Sequence, residues 1–265
     1  KNTPKIDVLF GGPVETFAAG IKEGVFDPYK PPSFDKLPAR FKHKDGQWVA
    51  IADDPLVFMT NTKFLADNKL KAPASWEDLL NPAYKNMLQM ADARTSGTAV
   101  TRIFSILEVN GRSEDKAFAF MKKLRPNVQL YTKSGGGGTL PVGLGKAGGG
   151  IFFIVDALDT KAKGYDVQIS FPKEGIGTAA EGIALIKGAK NPAAAKKLID
   201  WAASPAMQSL FAVHKINFVP AHPDVKTEAS LAAVLKNAKI FAIDAAYAGE
   251  NRKRVVDRWI AEILP

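Results

Sequence analysis

The sequence predicts an α/β fold with largely parallel sheets, and three observations support this. Short β-type runs alternate with helix-period segments from one end of the chain to the other. The composition, 46% apolar and 24% charged over 265 residues, belongs to a globular chain long enough for one large domain or two moderate ones. No apolar run approaches the roughly 20 residues a membrane span requires, and the most apolar stretch, residues 151–155, has strand length.

Residues 5–10 (KIDVLF) read as a short strand broken by Gly11-Gly12-Pro13. Pro13 suits a first helical position, and Val14, Phe17, Ala18 and Ile21 then recur at helical spacing up to Gly24. Residues 27–39 are proline-rich and read as a surface loop. Residues 47–52 and 55–61 read as two strands with Asp53-Asp54-Pro55 between them. Ser75-Trp76-Glu77-Asp78 resembles a capping box with Asp in place of Glu, opening a short helix to Leu80. Residues 87–90 form a strand, and Asp92 to Thr98 lead into a helix whose Val100, Ile103, Phe104 and Leu107 share one face before Asn110-Gly111 stops it. A helix over 113–124 and a strand over 128–131 follow. Ser134 and four glycines then precede a weak helix containing Pro141. Residues 151–155, 167–171 and 182–186 read as strands. Residues 192–203, a segment starting at Ser204-Pro205, and 249–263 read as helices.

Composition and motifs exclude several functions. Lys and Arg number 36 against 27 acids, a formal charge of +9. The basic residues are scattered, and the densest cluster, Arg252-Lys253-Arg254, has Glu250, Asp257 and Glu262 close by, so no nucleic-acid partner is expected. The absence of cysteine excludes disulfides, thiolate zinc sites and Cys nucleophiles. His43, His214 and His222 have no metal-ligand spacing, and no G-x-S-x-G elbow exists. No catalytic residue, metal or cofactor is therefore expected. Gly143-Leu-Gly145-Lys-Ala-Gly148 matches the dinucleotide fingerprint in letters only, because it leads out of a helix into a strand rather than the reverse.

A different device recurs: a strand, small or hydroxyl residues, then a helix start. It occurs at Gly11-Gly12-Pro13, at Thr95-Ser96-Gly97-Thr98 and at Ser134-Gly135-Gly136. Unpaired N–H groups at a helix N-terminus attract oxyanions, and small residues let an anion approach closely. Each instance alone reads as an ordinary cap; the three together raise an anion-binding cleft as the alternative. Arg94 could add a bidentate contact to phosphate or carboxylate, or could pair with Asp92. Asp156 ends the strand 151–155, either as a cleft residue or as an N-cap. Glu181, just before the strand 182–186, either meets a ligand amine or hydroxyl or faces solvent.

Longer stretches carry a resemblance. VLFGGPVETFAAGIKEGVFDPY, NTKFLADNKLKAPASWEDLLNPAYKN, QMADARTSGTAVTRIFSIL, VDALDTKAKGYDVQISFPKEG, EGIALIKGAKNPAAAKKLIDWAASPAMQ and ENRKRVVDRWIAEI, in this order, resemble periplasmic solute-binding proteins of ABC importers. The branch is the one that takes ferric ions, phosphonates, sugar phosphates or polyamines. The resemblance implies a two-lobe, type II periplasmic-binding-protein-like fold with hinge strands between the lobes. Residues 1–56 plus 182–265 would form lobe one, and 57–181 lobe two. It further implies a monomeric periplasmic receptor with its signal peptide removed, which closes on a small-molecule ligand and docks on an inner-membrane ABC permease. The usual N-terminal strand–helix unit is not matched, and the chain starts at Lys1. The expected ligand contacts are Gly11, Gly12, Arg94, Thr95, Ser96, Gly97, Thr98, Ser134, Gly135, Asp156 and Glu181. Ferric members use adjacent tyrosines, whereas Tyr29, Tyr84, Tyr131, Tyr165 and Tyr247 are never adjacent. Sugar-phosphate members carry His-Asp where this chain has Val155-Asp156. Phosphonate or organophosphate is therefore the favoured ligand, with a polyamine or ferric receptor, and an enzyme on the same scaffold, as the alternatives. The four glycines are expected to widen the cleft.

Overall fold

The computed structural model describes residues 4–264 and is a mixed α/β fold. In chain order its elements are β1 (Val8–Pro13), α1 (Val14–Lys22), β2 (Phe26–Asp27), β3 (Val49–Asn61), α2 (Thr62–Asp67), β4 (Leu88–Ala91), α3 (Gly97–Val109), α4 (Glu114–Leu124), β5 (Val128–Thr132), α5 (Thr139–Gly143), β6 (Gly149–Phe153), α6 (Ile154–Ala162), β7 (Val167–Ser170), β8 (Ile176–Ile186), α7 (Pro192–Ala202), α8 (Pro205–Val213), β9 (Val219–Pro220), α9 (Ala229–Leu235), β10 (Ile240–Ala242) and α10 (Ala245–Glu262). The chain divides into two compact units. The first holds the chain up to Asp54, Ala179–Leu235 and Asp244–Glu250, and the second holds Pro55–Thr178, Lys236–Ile243 and the tail from Asn251. β3 passes from the first unit to the second at Asp54–Pro55, and β8 returns at Thr178–Ala179.

In the first unit, β8 pairs antiparallel with β1 and with β2, and β9 pairs antiparallel with the start of β3. Its core joins Phe17 and Phe26, stacked at 5.6 Å, to Trp48, Ile183, Ile199 and Phe211. The apolar spacing of α1 places Val14 and Phe17 inward, as helical periodicity requires. Ser204 caps α8, its hydroxyl accepting from the Met207 amide at 3.2 Å, with Pro205 in the first turn.

In the second unit, β4 pairs in parallel with β5 and β6, while β6 and β7 run antiparallel to β3. β10 pairs in parallel with the start of β8. Val100, Ile103, Phe104 and Leu107 of α3 are all buried. Asn61 caps α2 by accepting from the Phe64 amide at 2.9 Å and donates to the Val142 carbonyl at 3.0 Å. The Ser75–Asp78 box forms: the Asp78 carboxylate accepts from the Ser75 amide at 2.9 Å, and the Ser75 hydroxyl accepts from the Asp78 amide at 3.1 Å.

Five expectations are corrected. The sheets are mixed rather than largely parallel, because β3 enters the second unit directly, with no crossover helix to reverse it, so its neighbours there run against it. Asp53-Asp54-Pro55 does not break the chain into two strands: β3 is continuous and buried throughout, with Arg40 neutralising Asp53 at 2.7 Å. β6 stops at Phe153, so Asp156 neither ends a strand nor caps a helix but is the third residue of α6. β8 starts at Ile176, so Glu181 lies within a strand rather than before one. Residues 236–243 and the tail, expected in lobe one, pack with the middle segment. Trp259 sets its ring edge-to-face on Tyr131 at 5.0 Å, Arg258 pairs with Glu114 and Asp115, and Arg125 donates to the Ile263 carbonyl at 3.0 Å.

Trp259→Ala should cost about 3–5 kcal/mol, as truncation of a buried aromatic does, and lower the urea midpoint of the second unit. Ser204→Ala should cost about 1 kcal/mol for the lost cap, read from the same unfolding curve.

Candidate functional site

The strongest clustering of small and polar residues lies in the second unit, where β4 hands over to α3. After Ala91 the chain turns on Asp92: its carbonyl accepts from the Thr95 and Ser96 amides at 3.2 and 3.0 Å, and its carboxylate accepts from the Arg94 amide at 2.8 Å. Ser96 then takes an extended conformation, and its hydroxyl makes no capping bond. Among the described residues, the amides of Gly97, Thr98 and Ala99 have no acceptor, since the first backbone bond into this turn is from Val100 to Ser96. A 13-residue helix therefore presents uncapped N–H groups beside two hydroxyl side chains.

The glycine run lies directly on this helix start. A Cβ on Gly135 would stand 2.1 Å from Thr98 Oγ1 and 3.6 Å from Ser96 Oγ, and one on Gly136 would stand 2.7 Å from Asp156 Oδ1. The run thus does not widen a cleft; it lets the loop approach where any side chain would collide. Thr95 Oγ1 donates to the Lys133 carbonyl at 2.7 Å and Thr132 Oγ1 to the Ser134 carbonyl at 2.8 Å, fixing the loop's first half. Ser134 itself is exposed.

Asp156 closes the cluster from α6. It is half-buried in the first turn, and its carboxylate accepts no hydrogen bond among the described residues. Burial, and secondarily the charge of Asp159, push its carboxyl above the ordinary value.

Of the residues singled out in the sequence, Ser96, Gly97, Thr98, Ser134, Gly135 and Asp156 come together here, with Thr95 holding the loop in place. Arg94 does not join them: Nε and Nη2 grip the Asp92 carboxylate at 3.0 and 2.6 Å. Gly11, Gly12 and Glu181 belong to the first unit. There the Gly12 amide donates to Glu181 Oε2 at 2.7 Å, and both glycines hold positive φ, +91° and +88°, at an irregularity in β1. Sequence inspection missed Gln89 and Arg102. Gln89 is buried against Gly138, and Arg102, also buried, donates to the Ala91 carbonyl at 3.0 Å. The available signal was a polar residue interrupting an otherwise apolar strand or helix.

Among the described residues no group of three or more His, Asp or Glu could hold a metal ion, and no helix is long and apolar enough to cross a membrane.

Known proteins share this arrangement of elements. Residues 3–251 match the bacterial extracellular solute-binding protein family. An uncharacterized protein of Haemophilus influenzae is 34% identical, over 99% of this chain and 78% of its own. The periplasmic binding protein AfuA from Actinobacillus pleuropneumoniae, solved with exogenous fructose-6-phosphate bound, is 32% identical with a TM-score of 0.91, over 99% of this chain and 84% of that one. The apo ferric ion-binding protein A of Pasteurella haemolytica shares the fold, with a TM-score of 0.79 at 18% identity over 97% and 82% of the two chains. With the type II periplasmic-binding-protein fold and a match over nearly its whole length, this chain belongs to the bacterial extracellular solute-binding proteins.

Proposed function

We propose that this chain is the periplasmic receptor of an ABC importer and that its solute is a small organophosphate or phosphonate carrying a hydroxyl or amine. One observation carries the ligand class: uncapped amides of α3 and the glycine loop meet beside a carboxylate that accepts no hydrogen bond among the described residues. The helix start and the hydroxyls of Ser96, Thr98 and Ser134 suit the anionic head. Asp156, an acceptor with nothing to accept from, suits a hydroxyl or amine on the same molecule. The similarity to AfuA, which binds fructose-6-phosphate, favours a phosphate ester over a carboxylate. The loss of His before Asp156 leaves Val155 in its place, so the second anchor differs in chemistry from the sugar-phosphate pattern. Function requires no bond to be made or broken: the receptor captures its solute and docks on a permease.

Thermal shift and calorimetry against fructose-6-phosphate, 2-aminoethylphosphonate, inorganic phosphate, spermidine and ferric citrate test this. A phosphorus-bearing organic anion at a hundredfold excess over Kd should stabilise the chain by about 2.7 kcal/mol. Stabilisation by spermidine or ferric citrate alone overturns the proposal. Gly135→Val should weaken that binding by at least about tenfold, or 1.4 kcal/mol, because the new side chain displaces the loop from Thr98.

Asp156→Asn should move affinity and stability in opposite directions. Its folded-state carboxyl titrates above the unfolded value, so ionisation destabilises the fold. That penalty is absent below the ordinary aspartate value of about 3.9 and grows as pH rises through the raised one. The variant should therefore melt higher than the native protein at neutral pH and equal to it in acid, while its solute affinity at neutral pH falls.

A further inference from the structure

A second cleft, of about 290 Å³, runs along β5 in the same unit and is lined by Asp92, Arg94, Arg125, Gln129, Tyr131 and Leu264, with Val128 and Leu130 alongside. β5 is the last strand in the order of its sheet, and Trp259, Ile263 and Leu264 of the C-terminal segment lie against this end of it. The charges here do not balance. Among the residues lining the cleft two guanidinium groups, Arg94 and Arg125, stand against one carboxylate, Asp92, and Arg102 lies behind Tyr131.

Arg94 is committed to Asp92 through Nε and Nη2. Burial raises the Asp92 carboxyl, but hydrogen bonds from Arg94 outweigh it and hold the group below the ordinary value, so Asp92 remains charged at neutral pH. Arg102, 3% exposed, sits 6.0 Å from the Tyr131 ring and donates through Nη1 to the Ala91 carbonyl. Arg125 uses Nε on the Ile263 carbonyl, and its two terminal nitrogens have no acceptor among the described residues. The Tyr131 hydroxyl likewise has no hydrogen-bond partner among them. Burial raises its pKa, while the nearby Arg102 and Arg125 oppose that rise.

We propose that this cleft binds a small organic anion, its carboxylate or phosphate head held between Arg125 and the Tyr131 hydroxyl and its apolar body against Val128, Leu130 and Leu264. A planar guanidinium offers a matched pair of donors to either head group. The volume sits at the small end of ligand sites, which limits the occupant to a compact molecule. Its lining does not include Ser96, Thr98, Ser134, Gly135 or Asp156, and the inference does not depend on the solute proposed above.

Titration of the full chain with benzoate, phenyl phosphate and the neutral benzyl alcohol, followed by NMR of the arginine Nε–Hε and tyrosine ring signals, tests this. The Arg125 and Tyr131 signals should shift and saturate with benzoate or phenyl phosphate and stay still with benzyl alcohol. Arg125→Gln should weaken binding about tenfold, and Tyr131→Phe, which keeps the ring on Trp259, about fivefold. Ser134→Ala should leave the affinity at this cleft unchanged. Failure to saturate by about 20 mM, far weaker than the millimolar affinity near −4 kcal/mol expected of a fragment, overturns the proposal. So does equal binding by the Tyr131→Phe and Arg125→Gln proteins. Loss of these shifts in Ser134→Ala places the anion at the glycine loop and also overturns it.

Discussion

The close approach of the glycine loop to α3 is the contact on which the candidate site depends. At Gly135 the space that a Cβ would need is already taken by the Thr98 hydroxyl, and at Gly136 by the Asp156 carboxylate. Three separate elements, the start of α3, the loop after β5 and the first turn of α6, can therefore converge within hydrogen-bonding range of one small solute. The hydroxyl bonds from Thr95 and Thr132 offset part of the entropy of holding so flexible a run in one conformation.

Two aspartates in this unit show how position decides the role of a side chain. Asp92 is almost fully buried yet satisfied, by the Arg94 backbone and guanidinium, and so it stabilises the turn that starts α3. Asp156 is less buried but unsatisfied, and its desolvation is uncompensated until something donates to it. A carboxylate held in this state costs stability, and under the proposed function it is the acceptor for the solute's hydroxyl or amine. Functional sites commonly carry this kind of local penalty.

The basic excess has a largely structural distribution. Lys63–Asp67, Lys163–Asp159 and Lys253–Asp257 are exposed pairs one helical turn apart, screened by solvent and of little consequence for stability. The pairs that join separate elements carry more consequence. Arg254 and Arg258 reach Glu114 and Asp115 on α4, and Lys122 reaches Glu262, tying the tail to the second unit.

The sequence by itself determined the alternation of strands and helices, the buried face of α3, the Ser75–Asp78 box, the helix start at Ser204-Pro205, and the three strand-to-helix turns of small residues. Each of these is local, written within one or two turns of chain, where spacing and capping chemistry act directly. The quoted stretches also carried the family. Tertiary structure alone decided the rest, because it depends on partners distant in sequence. Asp53-Asp54-Pro55 reads as a break until Arg40 arrives to neutralise Asp53 within one continuous strand. Glu181 reads as a ligand contact or a solvent-facing acid, and only the fold brings the Gly12 amide, far away in the chain, to donate to it. Arg94 reads either as a ligand contact or as a partner of Asp92, and the fold shows it on Asp92; the Thr95 hydroxyl, read as a ligand contact, donates to the Lys133 carbonyl. The four glycines read as widening a cleft, and only the collisions that side chains at Gly135, Gly136 and Gly138 would make with Thr98, Asp156 and Gln89 show them to be a requirement of close packing.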